Sequence, residues 1–468
     1  MSQINVCSLC GHENSAEVKF CSKCRVHLNR DQLEATHNET SPWYQKLTGY
    51  KMHVVHPRLI PIVILAFLGF IVFWQCTPFS QIFDEDLVPK TSIELVTDDT
   101  TSWGAFGKNA SGSSYTQDTD TTFAGKISWI YETTKPLTTV PVVSDGTVFL
   151  ATGDNRLLKL DAKSGAVLWA LTLTGPPDSS PALTNDSLYI GLRDHRVLSI
   201  DRSNGDINWE YSTGNPVYSS PTIKDGKLYI GSADNNLYAL DALTGDLIWK
   251  YSSGSQIYTG VTSNDEIVAM ISSDKHLHVV SALDGQLNLK YRTALSRGPT
   301  LIDNFMIYVS DENGGIRAID WREKHHLFER TIRSIKLQLF IWGIGEFPEQ
   351  KGLVWGFRHK RDTYTGNMAV DRNNIYSSTS SGKLIALDKL SGQISWTFEP
   401  KIPISSSPSI AGNRVIVGDA SGYLHILDSS SGKLLRSLLV DEGVTSTPIL
   451  VDQTLFVTTN KGTLYAIR

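Results

Sequence analysis

A chain of 468 residues, 41% hydrophobic and 19% charged, has the balance of a globular protein and room for several domains. Its formal net charge of −5 lacks the basic footprint of a nucleic-acid binder, so no nucleic-acid partner is expected. All five cysteines fall within the first 76 residues, which excludes a disulfide framework for everything that follows them.

The chain opens with two Cys-x-x-Cys pairs, Cys7 with Cys10 and Cys21 with Cys24, ten residues apart. Pairs at this spacing can converge on one tetrahedral Zn²⁺, and four protein ligands leave no open coordination position. A redox motif needs only one such pair. A structural zinc ribbon is therefore expected over residues 1–28, followed by a polar linker over 29–58. It resembles the short zinc ribbons found at the N-terminus of many bacterial membrane proteins.

Residues 59–79 contain no charged side chain, a stretch long enough to span a bilayer as one helix. Lys46, Lys51 and Arg58 precede it, and Asp84, Glu85 and Asp86 follow it. The positive flank stays in the cytoplasm, and thiolate ligands persist best in that reducing compartment. The expectation is a single-pass protein of the cytoplasmic membrane, with its N-terminus inside and the remainder periplasmic. Cys76 does not mark a lipid anchor, because Phe73, Trp74 and Gln75 do not match the small-residue motif such anchors need. Residues 80–124, acidic and then rich in Thr, Ser and Gly, read as an extended tether.

From residue 125 to the end the chain repeats. Asp161, Asp201 and Asp241 are each followed four residues later by Gly165, Gly205 and Gly245, then by Trp169, Trp209 and Trp249, all at a period of 40. Between these marks lie short β-rich segments separated by Asn, Asp, Ser and Gly turns, four to a unit. A four-stranded sheet cannot bury both faces alone, so such units stack radially as propeller blades. Inner strands begin near Pro141, Pro181, Pro221, Val261, Pro299, Met368, Pro408 and Pro448. The expected fold is all-β: an eight-bladed β-propeller of four-stranded antiparallel blades over 125–468. The last unit lacks an outer strand, and the segment from Gly125 to Tyr131 supplies it, closing the ring.

The interval fails once. Between blades five and six an insertion of about 321–351 is expected if the segment 352–357 forms the outer strand of blade five; the segment 327–331 is the other candidate. Nine Lys/Arg face four Asp/Glu between residues 322 and 361. Phe328, Ile332, Ile335, Leu339 and Trp342 recur at helical spacing, with Arg330, Arg333 and Lys336 mostly elsewhere on the wheel. A basic amphipathic helix of this kind can lie on an anionic membrane, fill a partner's groove, or pack on the propeller's own flank. Arg330, Arg333, Lys336 and Trp342 are thus candidate contacts. Around the channel, hydroxyl pairs such as Ser179 with Ser180 and Ser219 with Ser220 precede the inner strands. Arg297 replaces one of them as a candidate anion contact. These hydroxyls fit the crowded axis, and they can also hold a small polar ligand.

The repeat resembles the pyrroloquinoline-quinone (PQQ) type of propeller, and residues 103–110 resemble the lead-in segment of such propellers. The enzymes of that superfamily imply a quinone stacked on tryptophan, a Ca²⁺ or similar ion, an Asp base and often adjacent cysteines. This chain has no propeller cysteine, and its tryptophans hold the blade-packing position, so PQQ is not expected. The resemblance extends to the BamB-like scaffolds of outer-membrane barrel assembly, which are lipid-anchored and lack a zinc ribbon. It implies a non-catalytic scaffold that binds envelope proteins or peptides. A transmembrane ligand sensor with a cytosolic ribbon output is the alternative reading, with a PQQ-dependent dehydrogenase third. The sequence names no oligomeric state.

Overall fold

The computed structural model describes residues 102–468 apart from 117–124, 138, 297, 324–328, 345–349, 359–361, 365 and 441, together with the segments 4–6 and 13–15. The chain divides into two compact units, Met1–Val88 and Pro89–Arg468. In the first, Ile4–Val6 pairs antiparallel with Glu13–Ser15. The expected zinc ligands Cys7, Cys10, Cys21 and Cys24 and the expected membrane span 59–79 lie outside the described residues. Among the described residues no helix is long and apolar enough to cross a membrane.

The second unit is a ring of eight antiparallel blades. Blade 1 shows the pattern, running outward from Val142–Ser144 through Thr147–Thr152 and Arg156–Asp161 to Val167–Thr172. Inner strands are short and largely buried, wholly so in Val142–Ser144 and Ile449–Val451. Outer strands alternate between exposed and half-buried side chains, as in Ile207–Ser212, since one edge faces solvent. A register shift recurs between the third and fourth strands, at Ser199/Ile200, Ala239/Leu240 and Ala386/Leu387. Such bulges add the twist a blade needs.

Ring closure follows the expected pairing. Ile127–Glu132 forms the outer strand of blade 8 against Thr463–Ile467, so this blade is built from both ends of the ring. Lys126 and Arg468 exchange backbone hydrogen bonds at 2.7 and 2.9 Å. Of the two candidates in blade 5, Leu353–Arg358 is the outer strand, pairing with Gly315–Asp320. The insertion carries one helix, α1 (Glu329–Ile341).

One expectation is corrected. Residues 102–116 are not part of an extended tether: they are largely buried, and they occupy the axis of the ring. Trp103 bridges to Val143 of blade 1, and the amide of Leu183 in blade 2 donates to the Gly104 carbonyl at 2.7 Å. Ser263, Ile302, Val370 and Ile410, in blades 4 to 7, donate in turn to the carbonyls of Ala110, Ser111, Ser113 and Ser114. Tyr115–Thr116 then adds a parallel strand to the inner edge of blade 7. These bonds occupy backbone groups that inner strands would otherwise leave unpaired at a crowded axis.

Candidate functional site

The repeat residues that the sequence marks most strongly hold the blades together. Asp161 accepts from the amides of Lys163 and Ser164 at 3.1 and 2.7 Å and from the Ser164 hydroxyl at 2.7 Å. Those bonds, the Ser164 hydroxyl first, hold its carboxyl below the usual carboxylate range. Asp201, Asp388 and Asp428 sit in the same turn and shift the same way. Their charge is spent on turn backbone, so they are not poised as bases. Each repeat tryptophan donates across the seam to the next blade. Trp129, Trp169, Trp209 and Trp249 reach the carbonyls of Ala162, Arg202, Ala242 and Ala282 at 3.0–3.2 Å. Trp355 and Trp396 reach Lys389 and Ser429 at 3.0 and 2.9 Å. These indoles lie between blades, away from the axis.

The hydroxyls before the inner strands are also structural. Ser179 donates to the Gly191 carbonyl and accepts from the Gly191 amide, both at 2.9 Å, and Ser219 does the same with Gly231 at 2.8 Å. The second hydroxyl ties blade to blade: Ser180 accepts from the Val140 amide and Ser220 from the Ser180 amide, both at 2.9 Å. The aromatic ring of Phe106 comes up against Gly260, where blade 4 lacks this hydroxyl. Arg297 lies outside the described residues.

The same loops present a different surface outward. The Tyr218 and Tyr258 rings stand 5.3 Å apart, and the Arg193 guanidinium lies 5.7 Å from the Tyr218 ring. Asp178 pairs with Arg193. Tyr258 is 46% exposed. Tyr and Arg side chains at the surface are the residue types that anchor protein interfaces. This patch was not recognised from sequence. The usable signal was positional: three residues before each inner-strand proline the repeat has Ser405 or Thr445 in late blades, but Tyr218 in blade 3 and Tyr258 at the matching place in blade 4.

A polar cluster lies on blade 4. His278 is fully buried, with Nδ1 2.9 Å from the Tyr251 hydroxyl and Nε2 3.2 Å from both Asp274 Oδ1 and the Ser272 hydroxyl. Lys290 donates to Asp274 at 2.6 Å. Burial, opposed by Asp274, pushes the imidazole down to about 4. Ser272 and Asp274 crowd the same ring nitrogen, so the group lacks the relay order of a serine nucleophile, in which carboxylate and hydroxyl take opposite nitrogens.

The remaining expected contacts fall on the insertion. Arg330 is in the first turn of α1, Arg333 is half-buried with a 3.4 Å bond to Gln350, and Lys336 is exposed. Trp342 follows the helix and is 66% exposed.

The sequence family described as outer membrane protein assembly factor BamB matches residues 112–178, 160–398 and 399–468. BamB of Legionella pneumophila is 35% identical over 99 residues, and that of Kangiella koreensis 33% over 106. These stretches are 21% and 22% of this chain, and they span only 26% and 27% of the relatives' lengths. Among solved structures, BamB from Moraxella catarrhalis superposes with a TM-score of 0.59 at 12% identity, covering 74% of this chain and 100% of that one. A europium-containing methanol dehydrogenase superposes with 0.61 at 12% identity, covering 79% and 98%. At those identities the likeness is one of fold. The family match runs from residue 112 to 468, taking in the last residues of the axis-filling segment and all eight blades, and on it the chain belongs to the BamB family of PQQ-type propellers.

Proposed function

We propose that this protein is a membrane-anchored, non-catalytic scaffold that binds protein partners in the cell envelope during outer-membrane protein assembly. The observation that carries this reading is the contrast between axis and rim. Residues 102–116 take the inner-strand bonds at the axis, while Arg193, Tyr218 and Tyr258 stand together on the loop face. Membership of the BamB family supplies the process. The relatives' name states outer-membrane assembly, and this chain would share it.

In this reading residues 59–79 span the cytoplasmic membrane with the N-terminus inside. Cys7, Cys10, Cys21 and Cys24 would hold a structural zinc ion, which supplies folding energy to a ribbon too small for a core.

Photo-crosslinking from native membranes tests the reading, with the crosslinker placed at position 218 or 258. Envelope assembly proteins should be captured there and not from position 243, an exposed site in an opposite-end turn of blade 3. Equal capture from both positions, or none from either, would remove the loop face as the binding surface.

A further inference from the structure

The sequence leaves three fates open for the insertion helix, and packing on the propeller's own flank predicts a buried apolar face. Among the described residues no apolar side chain of the helix is fully buried, and only Leu339 is half-buried. Ile332, Ile335, Ile341 and Trp342 are 49%, 55%, 64% and 66% exposed, and Ile344 just beyond is 59% exposed. A helix of 13 residues is marginal in water without a packed face, so one with its apolar side chains in solvent needs a cover.

The arrangement around the helix says what kind. At about 100° per residue, Ile332, Ile335, Leu339 and Trp342 lie within an arc of roughly 80°. Leu337 falls on the far side between Arg330 and Arg333, and Ile341 lies just beyond Arg330. A protein groove covers one face of a helix. An interfacial helix buries its apolar face at the headgroup–acyl boundary, and long basic side chains beside that face reach the phosphates. The charge fits such a surface: nine Lys/Arg against four Asp/Glu over residues 322–361, in a chain of net charge −5. Tryptophan just past the helix end is the residue type enriched at that depth. Resting on the membrane-anchored reading, the tether also fits. Twenty-two residues, 80–101, separate the expected span from the ring, so the ring is covalently linked to the bilayer by a short stretch of chain.

We propose that α1 and the turn after it, residues 329–344, lie in the headgroup layer of an anionic phospholipid leaflet. This gives the propeller a second, electrostatic attachment that orients it on the membrane.

The test uses the full-length protein in nanodiscs of phosphatidylcholine with or without phosphatidylglycerol. Hydrogen exchange over 332–344 should slow roughly tenfold or more when phosphatidylglycerol is present. Brominated acyl chains should quench a Trp342 signal, read as the difference between the natural chain and Trp342→Phe. R333E with K336E, and separately I332E with I335E, should abolish both effects while leaving the melting temperature unchanged, because these side chains are exposed or half-exposed. A chain that enters the discs but shows equal exchange in both lipids and no quenching overturns the proposal and leaves the anchor standing. A chain that does not enter the discs overturns the anchor and the proposal with it. Protection that appears only with added envelope proteins, or with rising protein concentration in detergent, overturns it in favour of a protein groove or a second copy.

Discussion

The Trp209 indole of blade 2 covers Gly245 of blade 3 so closely that a Cβ on that glycine would sit 2.7 Å from the ring. Gly245 also has φ of +80°, and the indole donates to the Ala242 carbonyl three residues earlier. One turn thus serves two purposes. Its left-handed residue reverses the chain, and its missing side chain makes the slot for the neighbouring blade's tryptophan. The pairing recurs at Trp129 with Gly165 and at Trp396 with Gly432.

Gly245→Ala should therefore lose more than backbone strain. Left-handed strain alone costs about 1 kcal/mol, and overpacking adds about 1–3 kcal/mol. Gly254, with the same φ of +80° and open space around it, is the control. Denaturant titration should show the Gly245 variant clearly less stable than Gly254→Ala. Equal losses would mean that the slot is not sterically closed.

The buried His278 makes stability depend on pH. Its folded value is lowered to about 4, chiefly by burial, against an ordinary value of 6.5. Between those values the unfolded chain binds the proton and the folded chain does not, so stability is full above pH 6.5 and falls as pH drops toward 4. The shift corresponds to about 3 kcal/mol at most, shared with Asp274, whose carboxyl is lowered and stays charged through this window. Lys290, His276 and Tyr251 complete the surroundings. His278→Gln should flatten the stability profile between pH 6.5 and 4. An unchanged slope would place its origin in other groups.

How much was legible follows from which residues answer to local rules. The blades could be read because Asp161, Gly165 and Trp169 recur with their neighbours at a fixed period, and each obeys turn or seam chemistry visible within one repeat. Closure by Ile127–Glu132 was legible because Trp129 keeps that period. The fate of residues 102–116 was not. Gly104, Gly107, Gly112, Ser113 and Ser114 have the composition of a linker, and only their bonds to the inner strands of six blades, mostly accepted from blade amides, make them a structure. The loop patch failed for a related reason: Asp178, Arg193, Tyr218 and Tyr258 lie on successive repeats and meet only when the ring brings them together. Helical spacing did locate α1, but spacing cannot say whether a face is covered.

If Cys7, Cys10, Cys21 and Cys24 bind zinc, the purified chain should carry one equivalent, released by a strong chelator or by mercurial titration of the thiols. Cys7→Ser with Cys24→Ser should lose the metal and leave propeller melting unchanged, because the ribbon and ring belong to separate compact units. Metal-free protein from cells grown with zinc, or zinc retained by the double variant, would count against this ligand set.

Trp103 offers the sharpest test of the filled axis. It is 1% exposed and packs with Trp129, Val143, Ile449 and Phe456, where blades 8 and 1 meet. That seam is also where the two ends of the ring are joined by Ile127–Glu132 and Thr463–Ile467. Removing a buried tryptophan costs about 3–5 kcal/mol. Here the loss should be local as well as large, because no turn joins the two closing strands to each other as it joins the third and fourth strands of the other blades. Trp103→Ala should lower the melting temperature, and hydrogen exchange should rise first in 127–132 and 463–467 while 227–241 of blade 3 stays protected. Leu243→Ala, at a side chain 69% exposed, should change neither. A uniform rise in exchange around all eight blades would show that the axial segment supports the whole ring equally, and an unchanged melting temperature would show that it supports none of it.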